Sequence, residues 1–432
     1  MYLSKTEAAL LPTTLAGRPR LPDTGTPPRR RIWPLLGPAF VAAVAYVDPG
    51  NFATNFSGGA AFGYTLLWVI VAANLMAMLI QALTAKLGLA TGRDLATLCR
   101  ETLPRPVTWG LWLQAEAVAI ATDLAEIVGG AVALHLLFGV PLPVGGAITA
   151  VVAFALLAAQ SRGHRPFERV IAGLLLVIGL GFGYTLVGSG VDVGGAAGGL
   201  VPSFAGPESL VLATGILGAT VMPHVIYVHS ALTPGRYGDA VTAGRTAQGR
   251  RRLLRAQRLD VLLAMGLAGL VNAAMLVIAA QLFTGEGDRA ASLEGVHAGL
   301  GEQLGAGAAV AFGLALLASG FASSSVGTHA GQVVMAGFLR RNVPVLLRRL
   351  VTLLPALAVL VLGGDPTTAL VWSQVVLSFG IPFALVPLLW LTGRRDLMAG
   401  WVNRRRTTAA GAVVAALIIG LNVHLLVWLA LG

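Results

Sequence analysis

Val47-Asp48-Pro49-Gly50-Asn51 sits near the middle of an apolar stretch that runs from Trp33 to about Ser57. A carboxylate at that depth is expensive, about 2.5–3.5 kcal/mol on insertion scales, and the default reading of such a group is functional. The Pro-Gly pair beside it removes a backbone donor and invites non-helical dihedrals. Backbone groups freed in this way are tolerated only where protein or water, not lipid, can satisfy them. The stretch therefore predicts a membrane-spanning helix interrupted at Pro49-Gly50 to line an internal site.

The remainder of the chain agrees. Of 432 residues, 56% are hydrophobic and 11% charged, against about a quarter charged in a soluble domain. Apolar runs of about 20 residues, enough to cross a hydrocarbon core, recur along nearly the whole length. They are continuous rather than alternating, which favours a helical bundle over a barrel. Eleven spans are expected, at residues 33–58, 64–90, 107–138, 144–160, 167–189, 208–235, 257–284, 303–338, 344–363, 366–392 and 407–430. Residues 1–31 have no apolar core of signal-peptide length and read as a disordered cytoplasmic tail. The stretch Leu21-Pro22-Asp23-Thr24-Gly25 imitates a cell-wall sorting signal, but far from the C-terminus, and is read as chance. The single cysteine, Cys99, cannot form an internal disulfide.

The net charge of +11 does not imply nucleic acid, because its placement is topological. With the N-terminus cytoplasmic, all Lys and Arg except Arg289 and Lys86 fall on or beside the cytoplasmic side, including Arg29 to Arg31, Arg250 to Arg252 and Arg404 to Arg406. That is the positive-inside pattern, and eleven spans then put the C-terminus outside. The arginine run between 245 and 258 fixes a cytoplasmic loop and could meet anionic lipid. Arg greatly outnumbers Lys, a bias of GC-rich bacterial genomes, which points to a bacterial inner (plasma) membrane.

A second interruption is expected in Ala219-Thr220-Val221-Met222-Pro223-His224, near the middle of the sixth span. Spans one and six lie five apart and so cross the membrane in opposite directions. Two broken helices in corresponding positions of two five-helix halves are what an inverted-repeat transporter predicts, with its substrate at the midplane. The expected organisation is a tail (1–31), a first repeat (32–190, spans one to five), a second repeat (191–393, spans six to ten) and an added eleventh helix (394–432). No residue-by-residue identity links the halves, so the repeat rests on topology.

Asp48 supplies a hard anionic oxygen, Asn51 an amide oxygen, Met222 a soft thioether, and the breaks free carbonyls near Ala45 and Ala219. Calcium and magnesium prefer all-oxygen shells, whereas sulfur favours softer transition metals, so the set leans toward divalent manganese, iron, cobalt or cadmium. The metal is cargo, and no resident cofactor is expected.

Asp48-Pro49-Gly50-Asn51 together with Met222-Pro223-His224, each in its proper helix, closely resembles the signature of the Nramp family (natural resistance-associated macrophage proteins), proton-coupled transporters of divalent transition metals. The resemblance spans about residues 30–430. It implies the five-plus-five inverted repeat of sodium-coupled amino-acid symporters (LeuT-like), and coordination by Asp48, Asn51, Met222 and the carbonyls of Ala45 and Ala219. Gln374, in the tenth span, is similarly placed to a residue that joins the shell in some conformations of the family.

For protons, the third span offers Glu116, Asp123 and Glu126, whose spacings of seven and three set them near one helical face. Buried acids in such a stripe make a proton path, although Glu116 near the helix start also reads as interfacial. His224 and His229 titrate nearest physiological pH; His224 follows the break directly, while His229 also fits a hydrogen-bonded structural role. Arg348 and Arg349 open the ninth span and would pair with the acids or serve as ordinary positive-inside anchors. In the resembled family, third-span acids and a ninth-span arginine accompany the proton route, matching Asp123, Glu126 and Arg349. A metal at Asp48 would favour its ionised form, so a proton would leave toward Asp123 and Glu126 as metal arrives.

Three other readings compete. A sodium-coupled symporter of an organic solute would use Ser323-Ser324-Ser325 for sodium, but Asp48 would repel a substrate carboxylate. An intramembrane enzyme is disfavoured, since neither His-Glu-x-x-His nor Gly-x-Ser-x-Gly occurs. A passive metal channel is disfavoured by the paired breaks. The expected partners are the metal ion, protons and membrane lipid, with the protein working as a monomer.

Overall fold

The computed structural model describes residues 37–160, 164–243, 247–285, 292–340 and 345–431, all within one compact unit, Leu35–Gly432. The expected tail, 1–31, and Arg289 lie outside the described residues.

Among the described residues the chain is helical throughout: α1 (Pro38–Ala45), α2 (Pro49–Phe62), α3 (Leu67–Thr91), α4 (Leu95–Thr102), α5 (Arg105–Phe138), α6 (Leu142–Gln160), α7 (His164–Ser189), α8 (Val193–Gly198), α9 (Pro207–Thr220), α10 (Pro223–Ala243), α11 (Ala247–Phe283), α12 (Leu293–Leu304), α13 (Ala306–Leu339), α14 (Val345–Leu362), α15 (Pro366–Gly393), α16 (Arg395–Met398) and α17 (Arg405–Leu431). Among the described residues eight stretches are long and apolar enough to cross a membrane, Pro207–Pro234 among them despite its interruption, and two shorter apolar ones are Leu142–Leu156 and Leu350–Leu362. One of the eight, Pro49–Thr91, contains both α2 and α3 and so serves two spans. All eleven expected spans are thereby accounted for. Four short helices, α4, α8, α12 and α16, punctuate the connections; their lengths, four to twelve residues, are too small to register as spans.

Proline decides where helices begin. It lacks an N–H and carries a φ suited to the first helical position, where no donor is needed. Pro38, Pro49, Pro207 and Pro366 stand in the opening positions of α1, α2, α9 and α15, and α10 opens on Pro223. The two breaks consequently lie just before the prolines, at 46–48 and 221–222, rather than at the Pro-Gly pair itself. Glycine closes others: Gly92 (φ 69°) and Gly139 (φ 67°) end α3 and α5 in the left-handed region that a Cβ disfavours.

The most extensive interface joins α5 to α13, and α2 packs on α11 and α9 on α15. These scaffold contacts are close because small residues line them. A Cβ at Gly320 of α13 would meet the Gly130 backbone of α5 at 3.0 Å, and one at Gly59 of α2 would meet the Leu276 carbonyl of α11 at 2.4 Å. Within this frame the four half-helices pack against one another, α1 on α10 and α2 on α9, which brings the two breaks together.

Candidate functional site

The first break is held open by polar side chains from the scaffold. The Tyr46 carbonyl accepts from Asn272 Nδ2 at 2.8 Å, and the Val47 carbonyl from Ser319 Oγ at 2.6 Å. Upstream, Asp260 of α11 caps α1 by accepting from the backbone N–H groups of Gly37 and Ala39, both at 3.0 Å. Asp48 then acts as N-cap of α2: its Oδ1 accepts from the Asn51 backbone N–H at 2.8 Å. The costly buried carboxylate is thus also the residue that restarts the helix.

At the two carbonyls expected as ligands, backbone chemistry repeats. Ala45 and Ala219 each stand four residues before a proline, Pro49 and Pro223, so the intrahelical donor that would satisfy each carbonyl does not exist. Such oxygens need another partner. For Ala219 the structure supplies one: Asn51 Nδ2 donates to the Ala219 carbonyl at 3.0 Å and to Asp48 Oδ1 at 2.7 Å. One amide group therefore bridges a carboxylate at the first break and a carbonyl at the second, 168 residues apart in sequence. Met222, fully buried, stands in the second break, three residues after Ala219.

Gln374 of α15 approaches from a third side. Its Nε2 lies 3.4 Å from Asp48 Oδ2 and 3.1 Å from Ser373 Oγ. This approach depends on Gly50, where a Cβ would come within 1.9 Å of Gln374 Nε2. The structure thus brings together Asp48, Asn51, Ala219 and Gln374 by direct contact, while Ala45 and Met222 stand at the two breaks. Buried polar atoms without a hydrogen-bond partner include Asn51 Oδ1, Gln374 Oε1, Thr220 Oγ1 and His224 Nε2, all within or bordering the site. An orphaned buried acceptor costs about 1–3 kcal/mol. Two uncommitted amide oxygens beside a carboxylate offer the donor set of a cation site.

The acids of α5 divide. Asp123 and Glu126 are buried, 3% and 1% exposed, and the Glu126 carboxylate lies directly against Gly327 of α13, where a Cβ would meet both its oxygens at 2.8 Å. Glu116, nearer the helix start, is ion-paired: Arg348 Nη2 meets its Oε2 at 3.1 Å, with side chains 7% and 14% exposed. Arg348 reaches it by lying over Gly331 of α13. Arg349 belongs to α14, and its side chain lies outside the described ones. His224, on α10 just after the second break, shares a 3.2 Å hydrogen bond between its Nδ1 and Thr122 Oγ1, next to Asp123 in the chain. His229 Nδ1 meets Gln81 Oε1 at 2.7 Å, and Gln81 Nε2 donates to the Tyr46 hydroxyl.

Sequence reasoning missed this second set. Tyr46, Gln81, Asn272, Ser319 and Asp260 hold the first break in shape; their signal was polar side chains inside apolar spans. Two of the three serines that a sodium site would use bond within their own helix, Ser323 Oγ donating to the Gly320 carbonyl at 3.5 Å and Ser325 Oγ to that of Ala322 at 2.7 Å.

A family model described as natural resistance-associated macrophage protein-like matches residues 39–428. The divalent metal cation transporter MntH of Deinococcus radiodurans is 53% identical over 404 residues, covering 93% of this chain and 91% of that protein. A crystal structure of a mutant of the Eremococcus coleocola manganese transporter superposes with a TM-score of 0.82 at 33% identity, covering 92% of this chain and 87% of that one. Mhp1, a nucleobase-cation-symport-1 family transporter, shares the fold at 17% identity, with a TM-score of 0.57 and coverage of 91% and 93%. The resemblance read from Asp48-Pro49-Gly50-Asn51 and Met222-Pro223-His224 is therefore borne out at the level of family and fold.

Proposed function

Because the chain belongs to the natural resistance-associated macrophage protein-like family, we propose that it imports divalent transition metals, manganese and iron with cadmium or cobalt, across a bacterial plasma membrane by proton-coupled alternating access. Its relatives' description as divalent metal cation transporters supports the cargo class. One observation carries the assignment to this site: the Asn51 amide stands between Asp48 Oδ1 and the Ala219 carbonyl, at 2.7 and 3.0 Å. A donor placed between two oxygens marks where a cation would be attracted.

A half-turn of that amide exchanges Nδ2 for Oδ1 and converts the donor into a third oxygen ligand. The cation then meets Asp48, Asn51, the carbonyls of Ala45 and Ala219, the Met222 thioether and Gln374. Charge neutralisation comes from Asp48, and selection against calcium and magnesium from Met222. Protons leave through the buried stripe of Asp123 and Glu126, with His224 linked to it by Thr122 and with Arg348 and Glu116 at its arginine-rich end. His229 tethers α10 to α3 through Gln81. Helices α1, α2, α9 and α10 rock against the scaffold around the two breaks.

The test is uptake of manganese, cadmium, calcium and magnesium into proteoliposomes carrying a pH-sensitive dye, by wild type and Met222→Ala. Manganese and cadmium uptake with internal acidification, and a gain of calcium or magnesium uptake in the variant, is the expected result. Absence of metal uptake by folded wild type would transfer the assignment to an organic-solute symporter, and metal uptake without acidification would remove proton coupling.

A further inference from the structure

Between the end of α15, the short α16 and the arginine-rich start of α17 lies a depression of about 500 Å³, lined by Arg395, Asn403, Arg405 and Thr408 together with Ala409 and Ala412. Both arginines are exposed, and no carboxylate of the described residues lies within ion-pair distance of either. The adjacent acid, Asp396, is taken by Arg394. The rim is rigid: Asn403 donates from Nδ2 to Thr392 Oγ1 at 2.8 Å and from its backbone N–H to the Thr392 carbonyl at 3.1 Å. Further cations stand behind it. Lys86 of α3 donates to Asn403 Oδ1, and Arg250 of α11 lies against Gly400, where a Cβ would meet its Nη1 at 2.1 Å.

The depth of this depression in the membrane can be read from its aromatic neighbours. Trp390, 43% exposed with the Arg394 guanidinium 5.0 Å over its ring, precedes the lining residue Gly393 by three positions on α15, and half-buried Trp401 directly precedes the lining residue Val402; such rings mark the headgroup level. Below it, α17 continues as an apolar helix with Val413 and Leu417 more than half exposed, while Ala409 and Ala412 leave room beside them. A cationic mouth at headgroup depth, opening onto an apolar lane, complements an amphiphile that carries a phosphate above acyl chains. Free phosphate would use the mouth alone and leave the lane without purpose.

We propose that the α15–α17 depression binds the phosphodiester headgroup of an anionic membrane phospholipid, with an acyl chain lying along α17. The proposal rests on the membrane-spanning fold and not on the metal chemistry of the central site, so it stands or falls separately from transport. Each arginine near a charged lipid surface contributes on a scale that corresponds to roughly a fivefold change in binding.

The experiment uses the full chain in phosphatidylcholine vesicles doped with acyl-brominated phosphatidylglycerol or, at equal mole fraction, brominated phosphatidylcholine, and reads quenching of tryptophan emission. The expected result is stronger quenching by phosphatidylglycerol, reduced roughly fivefold in apparent affinity by Arg395→Gln or Arg405→Gln singly and lost in the pair. Arg105→Gln, which removes an exposed charge at the start of α5, outside both the depression and the 245–258 arginine run, keeps the preference, and unchanged melting temperatures show that the variants are folded. Equal quenching by both lipids, or a preference that survives in the folded double variant, overturns the proposal. Release of the preference by millimolar inorganic phosphate overturns it too, by assigning the depression to a soluble anion.

Discussion

Gly218→Ala tests whether the two breaks must be held in register by backbone contact. A Cβ at Gly218 of α9 would stand 1.9 Å from the Gln374 carbonyl oxygen, 2.8 Å from the Ser378 nitrogen and 3.0 Å from the Gln374 carbonyl carbon. All three are backbone atoms of α15, so no rotamer change relieves the clash. Ordinary contact begins at 3.4 Å, and 3.4 minus 1.9 requires α9 and α15 to part by 1.5 Å. That separation acts on the site directly. Ala219, the next residue, holds Asn51 at 3.0 Å, and Gln374 holds Asp48 Oδ2 at 3.4 Å. Overpacking of this kind costs about 1–3 kcal/mol of stability, and a misplacement of about 1 Å at a reacting site costs up to about 100-fold in rate. The expected outcome is a fall of about tenfold or more in manganese uptake into proteoliposomes, with the protein still folded in detergent. Gly173→Ala is the control, because a Cβ there meets nothing within 4 Å. Uptake by Gly218→Ala within twofold of wild type would refute the reasoning, since it would show that the α9–α15 spacing does not set the geometry of the site.

Asp48→Asn should abolish metal uptake while leaving the melting temperature close to wild type, because an asparagine still caps α2 by accepting from the Asn51 N–H; a collapse of folding instead would show that the charge itself stabilises the break. Glu116→Ala strands the guanidinium of Arg348, 7% exposed, and should lower stability by about 3 kcal/mol; the double variant Glu116→Ala/Arg348→Ala should be less destabilised than the sum of the singles, as thermal melts would show. Cys99, buried on α4 outside the spans, has its thiol pushed up to about 12 by burial, with Asp94 nearby adding to the effect. Only thiolate reacts with maleimide, so labelling of the folded protein should be negligible at neutral pH, increase as pH rises toward that value, and become complete in detergent denaturation; rapid labelling at neutral pH would contradict the buried placement.

How much of this was legible before folding follows from which forces act locally. Span number follows from apolar run length alone, because lipid is a uniform solvent and every run must satisfy its own backbone. Asp48 stands out by the same logic, since a carboxylate in that setting has no cheap explanation. Proline fixes the breaks by covalent chemistry, and even the small displacement between the Pro49-Gly50 pair and the actual interruption at 46–48 follows from where proline is tolerated. Ala45 and Ala219 inherit their orphaned carbonyls from the same two prolines.

Other features needed the tertiary structure, because they depend on which helices touch. Nothing in the spacing of Glu116, Asp123 and Glu126 tells that Arg348 claims the first through a gap over Gly331, or that Glu126 rests on Gly327. Gln374 reaches Asp48 only because Gly50 lacks a side chain at the crossing. Asn272, Ser319 and Asp260 look like stray polar residues until packing of α11 and α13 against α1 turns them into the supports of the first break. The sequence by itself determined a bundle of apolar spans with two proline breaks and a buried acid, since these are properties of single segments in lipid. The tertiary structure alone decided that the breaks face each other across one amide group, because that contact joins residues 168 positions apart and depends on helix crossings set by small residues distributed over the whole chain.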